Sequence, residues 1–232
     1  MIDSAISFRR PRRAGPELTL EEALISNRAE FLDSRKTWWL AASLRVGAGL
    51  PDLVAVHYDP TLRDVGPLRR EAIEVLAYLR AVGQARRETV ASRLGFSLAS
   101  TEVGIASLLE AGAIASGETP LSLTDRWRDV LPEVVAVEVK VSDWRRALIQ
   151  ASRNLIFAHR SFVAVPAGLA DRVRNNPAFA QLGIGIIGIG EDGTTAVARR
   201  ARRSAPRSWR YYYELAGHVA TERNAFAVSR SD

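Results

Sequence analysis

The chain has no cysteine, and this absence excludes several kinds of site at once. No disulfide, thiolate zinc centre or cysteine nucleophile can form. Histidine is scarce as well, and the three residues His57, His159 and His218 are too far apart in sequence to indicate a zinc cluster. A metal site in this chain would therefore be of the hard type, with oxygen ligands.

Long apolar runs are also absent. No run approaches the roughly 18 residues that a membrane-spanning helix needs, and the basic N-terminus is not followed by the apolar stretch of a signal peptide. With 232 residues, of which 47% are hydrophobic and 25% charged, the chain can bury one good core and has room for a second small domain. We predict a globular, cytoplasmic protein that does not contact a membrane.

Lysine occurs at only two positions, Lys36 and Lys140, in a chain with thirty arginines. Where arginine is so strongly preferred, a lysine indicates a position that needs a compact ammonium group. Lys140 stands in the segment Glu138-Val139-Lys140, which follows the apolar run Val134-Val135-Ala136-Val137. Because side chains two residues apart on a strand share a face, Glu138 and Lys140 are predicted to project together.

Arginine is abundant and unevenly placed, and the chain has a formal net charge of +6. The segment from Thr194 to Arg210 contains no acid and these arginines: Arg199, Arg200, Arg202, Arg203, Arg207 and Arg210. A second cluster near the start of the chain comprises Arg9, Arg10, Arg12 and Arg13. Both segments predict contact with a polyanion such as DNA, and the alternative is a flexible, solvated arm.

Two parts of the chain alternate between strand and helix patterns. Residues 18–31 predict a helix with Thr19 as its N-cap, and the segment Gly47-Ala48-Gly49-Leu50-Pro51 separates two strands at residues 37–46 and 52–58. The later elements are strand 133–140, helix 144–159 capped by Ser142-Asp143, strand 161–165, helix 167–174, and strands 183–189 and 194–198 joined by a turn at Asp192-Gly193.

Residues 62–128 follow a different pattern. Helices are predicted around residues 72–79, 89–94 and 100–109, and strands at 113–115 and 121–123 would form a hairpin beside the third helix. The pattern resembles a winged helix-turn-helix, a family in which the third helix commonly enters a DNA major groove. Here the third helix carries Glu102 and Glu110 and no basic residue, whereas Arg86, Arg87 and Arg93 lie at the second helix. The module is predicted to bind DNA, or alternatively to bind a protein partner or form a homodimer.

Three short motifs occur in a fixed order outside this module. Pro51-Asp52 opens a strand, Glu138-Val139-Lys140 ends the next core strand, and Gln150 lies on the helix that follows. In this order and context the motifs resemble the PD-(D/E)xK nuclease superfamily over most of the chain outside the module. The resemblance implies an α/β fold with a mixed central sheet flanked by helices, as in restriction endonucleases. Residues 1–61 and 129–232 would form this core, and residues 62–128 would be an inserted winged-helix module.

The same resemblance implies a metal-dependent DNA nuclease. Asp52 and Glu138 map to the acids that bind Mg²⁺ or Mn²⁺ in that family, and the backbone carbonyl of Val139 to a further ligand. Lys140 maps to the family lysine, which would stabilise developing negative charge or activate the attacking water, and both roles stay open. Gln150 would be a fourth catalytic residue, holding the water or a DNA phosphate, and its alternative is a solvated polar position.

Glu22 on the first helix is a further candidate metal ligand by the same resemblance, with Glu21 and Glu30 as competitors for that role. Two features depart from the family pattern. Asp52 and Glu138 lie 86 positions apart (138 minus 52), where relatives have a short hairpin, and the inserted module accounts for the excess. Some branches have a tyrosine four residues after the helix glutamine, a position that Asn154 takes here.

The remaining predicted contacts are with DNA phosphates. The predicted nucleic-acid-binding residues are all arginines: Arg86, Arg87, Arg93, Arg146, Arg153, Arg199, Arg200, Arg202 and Arg203. The structural alternatives for the acids are an ordinary turn residue at Asp52 and a surface ion pair between Glu138 and Lys140. The functional alternative is a non-catalytic DNA-binding regulator that uses the winged helix on an inactive nuclease scaffold.

Overall fold

The computed structural model of the protein describes residues 6–8, 14–47, 49–115 and 120–228. The arginines at positions 9, 10, 12 and 13 and residues 116–119 of the predicted hairpin turn lie outside the described residues. The strands are β1 (Ile6–Phe8), β2 (Trp39–Ala42), β3 (Leu53–His57), β4 (Gln84–Ala85), β5 (Ile114–Ala115), β6 (Leu121–Leu123), β7 (Glu133–Val139), β8 (Arg160–Pro166), β9 (Gly185–Ile189) and β10 (Thr195–Arg199). The α-helices are α1 (Pro16–Ser26), α2 (Arg70–Val82), α3 (Arg87–Leu94), α4 (Leu98–Glu110), α5 (Asp125–Arg128), α6 (Trp144–Asn154), α7 (Ala167–Val173), α8 (Pro177–Leu182) and α9 (Trp209–Val228). Short 3₁₀ helices cover Arg28–Glu30 and Pro60–Arg63.

The described residues divide into two compact units. The first takes in the chain up to His57 together with Glu133–Arg207, and the second takes in Tyr58–Pro132 together with the chain from Ser208 onward. No helix among the described residues is both long enough and apolar enough to cross a membrane.

The first unit is built on a mixed sheet with seven strands in the order β1-β2-β3-β7-β8-β9-β10. The central strands β7, β8 and β9 run parallel, whereas β2, β3 and β7 pair antiparallel and β10 is antiparallel to β9. The α/β class and the mixed sheet flanked by helices, which the family resemblance implied, are confirmed.

Helices cover both faces of this sheet. On one face Leu24 of α1 packs with alternate residues of β7, namely Val135, Val137 and Val139. On the other face α6, α7 and α8 pack over β8 and β9. Because both faces are covered, all seven residues of β7 are buried, as the apolar run predicted. Glu138 is therefore a core position, and the alternative of a surface ion pair is wrong.

Several predicted boundaries were wrong by a few residues. The first helix begins at Pro16 and has Gly15 at its N-cap, so Thr19 lies inside it; proline is well suited to the first helical position. Strand β2 ends at Ala42 because Ser43 has a φ of 54°, which no strand residue adopts. Helix α6 stops at Asn154 because the chain must turn to pair Arg160 with Val135.

The second unit contains helices α2 to α5 and α9 with a small sheet in the order β4-β6-β5. The predicted helices of residues 62–128 are present as α2, α3 and α4, and β5 pairs antiparallel with β6 as expected of the hairpin. Strand β4 was not predicted, because two residues carry no periodic signal. In α9 the hydroxyls of Tyr212 and Tyr213 contact the backbone at Leu131 and Trp127.

Candidate active site

The predicted acids face each other on neighbouring strands. Leu53 of β3 pairs with Val137 of β7 in an antiparallel register, so the next facing pair is Asp52 and Glu138. The backbone N–H of Val139 donates a hydrogen bond of 2.7 Å to Oδ2 of Asp52. The strand pairing therefore fixes Asp52 beside Glu138, although the second unit separates the two in sequence.

Lys140 places its ammonium group among oxygen atoms. Its Nζ donates a hydrogen bond of 2.6 Å to the carbonyl of Val139 and lies 3.7 Å from Oδ2 of Asp52. A third neighbour is Glu17 at the start of α1, whose Oε1 is 3.3 Å from Nζ. The Lys140 side chain is 17% exposed, so the charge is partly shielded from solvent and its pairing with these groups is stronger than at an open surface.

Glu138 is buried and only one of its carboxylate oxygens is satisfied. The residue is 1% exposed, and its Oε1 accepts a hydrogen bond of 2.7 Å from Nδ2 of Asn154. Its Oε2 is buried, and no donor for it exists among the described residues. A buried carboxylate oxygen without a partner is costly in an apolar core, so this atom marks a position where a cation or its water would be stabilised.

The surroundings shift the pKa of both acids upward. Burial raises the pKa of Glu138 to about 8, and the charge of Asp52 adds to the rise, against the hydrogen bond from Asn154 and the charge of Lys140. Burial also raises the pKa of Asp52, although the N–H of Val139 and the charge of Lys140 lower it. Without a cation, Glu138 therefore carries a proton at neutral pH, and a metal ion would displace that proton on binding.

The donor atoms fit a hard divalent cation. The carboxylates of Asp52 and Glu138 and the carbonyl of Val139 are all oxygens, which Mg²⁺ and Mn²⁺ prefer. The Val139 carbonyl has a second lone pair beyond the one that Lys140 uses. Across the described part of the chain, however, no three histidine, aspartate or glutamate side chains are already gathered in a metal-binding group. A cation here would depend on the backbone carbonyl and on water for its remaining ligands.

Comparison with known proteins identifies no family for this chain. No family model matches the chain, no curated protein matches its sequence, and no solved structure matches its fold. The resemblance to the PD-(D/E)xK nucleases therefore stays a prediction from the sequence motifs.

Gln150 lies on α6 four residues before Asn154. Residues four apart on a helix share a face, so Gln150 and Asn154 lie on the same side of α6. Its Oε1 is buried, and the described residues offer no hydrogen-bond donor to it. A wholly solvated position is therefore wrong for Gln150. Arg146 and Arg153 lie on the same helix with exposed side chains, where they can reach a polyanion.

Glu22 is exposed on α1, five residues after Glu17. At 3.6 residues per turn, Glu22 is turned by about 140° around the helix axis from Glu17. The carboxylate of α1 that contacts Lys140 is thus Glu17, and the role of Glu22 as a metal ligand stays a prediction. Helix α1 begins earlier than predicted, and this shift brings Glu17 into its first turn.

The basic segment that begins at the end of β10 is held within the first unit by backbone hydrogen bonds. The N–H of Arg202 donates to the carbonyl of Gly183 at 2.9 Å, and that of Arg207 donates to the carbonyl of Leu155 at 3.2 Å. The guanidinium of Arg199 donates to the carbonyl of Arg174 at 3.0 Å. The alternative of a flexible arm is therefore wrong here, and the exposed side chains at positions 200, 202 and 203 belong to a fixed basic segment.

The arginines at the second predicted helix belong to the second unit. Arg86 and Arg93 are exposed, whereas Arg87 pairs with Glu102 of α4 at 2.5 Å. Glu102 is one of the two acids noted on the third predicted helix, and this ion pair neutralises its charge. The pair also engages one of the three arginines. Contact of these residues with DNA stays a prediction.

Two residues of the site were not among the predicted catalytic residues, namely Glu17 and Asn154. A signal existed for Asn154, because it continues the inward stripe of Ala147 and Ala151 at spacings of four and three, and all three are buried. A polar residue on such a stripe indicates a buried partner. For Glu17 the only signal was the proline before it, which places the helix start.

Proposed function

We propose that the protein is a divalent-metal-dependent nuclease that hydrolyses phosphodiester bonds in DNA. Asp52, Glu138 and the carbonyl of Val139 bind Mg²⁺ or Mn²⁺, and Lys140 positions or activates the attacking water. One observation carries the proposal: Oε2 of the buried Glu138 has no hydrogen-bond donor among the described residues, and Asp52 faces Glu138 across the β3–β7 pairing.

Each residue has a chemical task in this proposal. A bound divalent cation supplies charge neutralisation at the phosphate and makes a water molecule more acidic. The Lys140 ammonium stabilises negative charge on a phosphate oxygen or orients the water, since its Nζ lies 3.7 Å from Oδ2 of Asp52 and contacts the Val139 carbonyl. Gln150 uses its carbonyl oxygen, to which the described residues offer no donor, to accept a hydrogen bond from that water. Arg146, Arg153 and the basic segment contact the phosphates of the DNA backbone.

The fold supports this proposal at the level of architecture. A restriction-endonuclease-like core needs a mixed sheet whose adjacent strands present the two acids, and β3 and β7 do so. The compact units change between His57 and Tyr58 and between Pro132 and Glu133, close to the proposed insertion of residues 62–128, and again between Arg207 and Ser208. In the second unit, three helices followed by an antiparallel strand pair support the winged-helix assignment.

The direct test is cleavage of nucleic acid. The purified protein is incubated with supercoiled plasmid and with single- and double-stranded oligonucleotides in Mg²⁺ or Mn²⁺. We expect metal-dependent cleavage that Glu138→Ala lowers by at least about 100-fold. Asp171→Ala, which removes an exposed carboxylate on α7, is the matched control and should cleave like the wild type. A wild-type protein that cleaves no better than Glu138→Ala contradicts the proposal.

A second candidate is a DNA-binding regulator without catalytic activity. It is favoured by the Lys140 ammonium on the Val139 carbonyl and by the lack of a ready three-ligand group among the described residues. This function predicts salt-sensitive DNA binding that survives Glu138→Ala, with no cleavage in any metal. Metal-dependent cleavage by the wild-type protein therefore distinguishes the two candidates.

Self-association through the second unit is the remaining candidate for that unit. Three apolar side chains are exposed there, Val82 at 49%, Leu98 at 58% and Val103 at 52%. Exposed apolar side chains of this size are a common feature of protein interfaces. Sedimentation equilibrium of the full chain distinguishes a homodimer from a monomer, and a monomer at all concentrations would contradict this role.

A further inference from the structure

The Glu138 carboxylate is held by a neighbour that belongs to none of the three motifs. Nδ2 of Asn154 donates to its Oε1 at 2.7 Å, and both side chains are 1% exposed. We infer that Asn154 is a positioning residue, which fixes the Glu138 carboxylate so that Oε2 is the oxygen offered to the cation. The inference deepens the proposed function and rests on it.

An amide suits this task better than a charged side chain would. A neutral donor leaves the full negative charge on Glu138, which a divalent cation needs. Arginine would bind both carboxylate oxygens with its fork and compete with the metal ion. Asn154 binds one oxygen and leaves Oε2 without a donor among the described residues, so the hydrogen bond selects the metal-facing atom.

Asn154 is itself fixed at the end of α6. Its backbone carbonyl accepts hydrogen bonds from the N–H groups of Phe157 at 3.1 Å and Ala158 at 2.9 Å. These bonds fix the backbone of Asn154 where α6 ends. The amide itself is confined by burial and by its hydrogen bond to Glu138.

Gly49 closes the other side of the amide. A Cβ atom on Gly49 would lie 2.9 Å from Oδ1 of Asn154 and 3.0 Å from a ring carbon of Phe157, so a side chain here requires the amide or the ring to shift. Gly49 is held in turn by two backbone hydrogen bonds with Val46, of 2.9 Å and 3.1 Å. The absence of a side chain at Gly49 therefore leaves the Asn154 amide in its place beside Glu138.

The Gly49 loop links the two acids of the site. Three residues after Gly49 the chain reaches Asp52, whose Oδ2 is bound by the backbone of β7. One loop thus carries the first metal ligand and confines the residue that orients Glu138. The positions of the two carboxylates are therefore set together rather than independently.

Asn154→Asp tests the hydrogen bond with almost no change of volume. It replaces the donor with an acceptor and puts a second carboxyl group against Glu138. We expect the dissociation constant of Mn²⁺ to rise by about 10- to 100-fold, the usual effect of removing a residue that orients a metal ligand. Asn176→Asp is the matched control, because Asn176 caps α8 through its Oδ1 and aspartate caps a helix equally well.

Gly49→Ala tests the same inference without altering any polar group. The added methyl must displace the Asn154 amide, so we expect weaker Mn²⁺ binding with the hydrogen-bonding residues intact. Gly66→Ala is the matched control, since nothing lies within 4 Å of the added atom there. This variant keeps the inference testable if Asn154→Asp does not fold.

Binding of Mn²⁺ is measured from the electron paramagnetic resonance signal of free Mn²⁺, and folding from circular dichroism. The expected result is wild-type binding that Glu138→Gln abolishes and that both Asn154→Asp and Gly49→Ala weaken. Wild-type affinity in folded Asn154→Asp or Gly49→Ala overturns the inference and leaves the proposed function standing. A wild-type protein that binds no Mn²⁺ overturns both.

Discussion

The backbone N–H of Val139 donates a hydrogen bond of 2.7 Å to the Oδ2 atom of Asp52. The strand that carries Glu138 thereby also orients the other candidate metal ligand. Because the donor is a main-chain group, only proline at position 139 would remove it, and the bond is charge-assisted when Asp52 is ionised. Glu138 is thus held within β7, and Asp52, at the end of the loop before β3, is tied to the same strand.

Lys140→Arg is expected to abolish metal-dependent cleavage while the fold is retained. The guanidinium is broader than the ammonium and cannot fit among the Val139 carbonyl, Asp52 and Glu17 in the same way. We expect a loss of at least about 100-fold in the cleavage rate. The measurement is the rate of plasmid nicking at saturating Mg²⁺.

The control for that experiment is the same substitution at the other lysine. Lys36 pairs with Glu133 at 2.9 Å, and arginine can form this pair as well. Lys36→Arg should cleave like the wild type. Equal activity of Lys140→Arg and Lys36→Arg would show that position 140 needs only a positive charge.

The stability of the metal-free protein should fall as the pH rises from about 4.5 to about 8. The folded state raises the pKa of Glu138 from 4.5 to about 8, so it binds a proton in this range that the unfolded chain does not. The stabilisation is complete below the unfolded pKa and is lost as the pH passes the folded pKa, at up to about 1.4 kcal/mol per pH unit. Urea unfolding in EDTA at several pH values measures it.

Glu138→Gln removes the titrating group and keeps the shape of the side chain. Its free energy of unfolding should change less with pH over the same range. If the two proteins have parallel pH profiles, the raised pKa of Glu138 is not the source of the pH dependence.

Binding of Mg²⁺ at pH 7 should release close to one proton. Glu138 is protonated in the metal-free protein because its pKa is about 8, and the cation binds only the carboxylate form. Calorimetry in buffers of different ionisation enthalpy gives the number of protons from the slope of the apparent binding enthalpy. A slope of zero would mean that the Glu138 carboxyl is already ionised or is not a ligand.

Arg200→Gln should weaken DNA binding and make it less sensitive to salt. Each phosphate contact that is lost lowers the slope of log affinity against log salt by about one. The backbone hydrogen bonds of the basic segment do not involve this side chain, so the fold should be unchanged. Fluorescence anisotropy with a labelled duplex at several salt concentrations measures the slope.

Arg35→Gln is the matched control for the loss of one positive charge. Arg35 is 88% exposed and pairs with Asp33, outside the basic segment. Its slope should equal that of the wild type. A parallel loss in both variants would indicate a general charge effect instead of a contact at Arg200.

The sequence predicted those features that depend on local patterns. The apolar run before Glu138 identified β7, and Ser142-Asp143 marked the start of α6, where Asp143 accepts a hydrogen bond from Arg146. The order of the acids was enough to pair Asp52 with Glu138 through a family resemblance. The signals for β7 and α6 lie within a few residues of the element that each identifies, whereas the pairing of Asp52 with Glu138 depended on the resemblance.

The contacts that were missed depend on packing between distant segments. Asn154 reaches Glu138 only because α6 lies back across β7, and Glu17 reaches Lys140 only because α1 covers the opposite face of the sheet. Helix periodicity places Asn154 on the buried side of α6 but does not predict its hydrogen bond to Glu138. The lack of space for a side chain at Gly49 likewise cannot be predicted from the sequence, because Asn154 and Phe157 cause it.

The chain leaves the sheet of the first unit at His57 and returns to it at Glu133, and these two residues face each other in the β3–β7 ladder. Strand ends in this register are close enough for a two-residue turn to join them. All seven strands of that sheet come from outside residues 58–132. Residues 58–132 thus occupy the place of a hairpin turn, the kind of position at which genes can gain or lose whole modules while the surrounding sheet keeps its register.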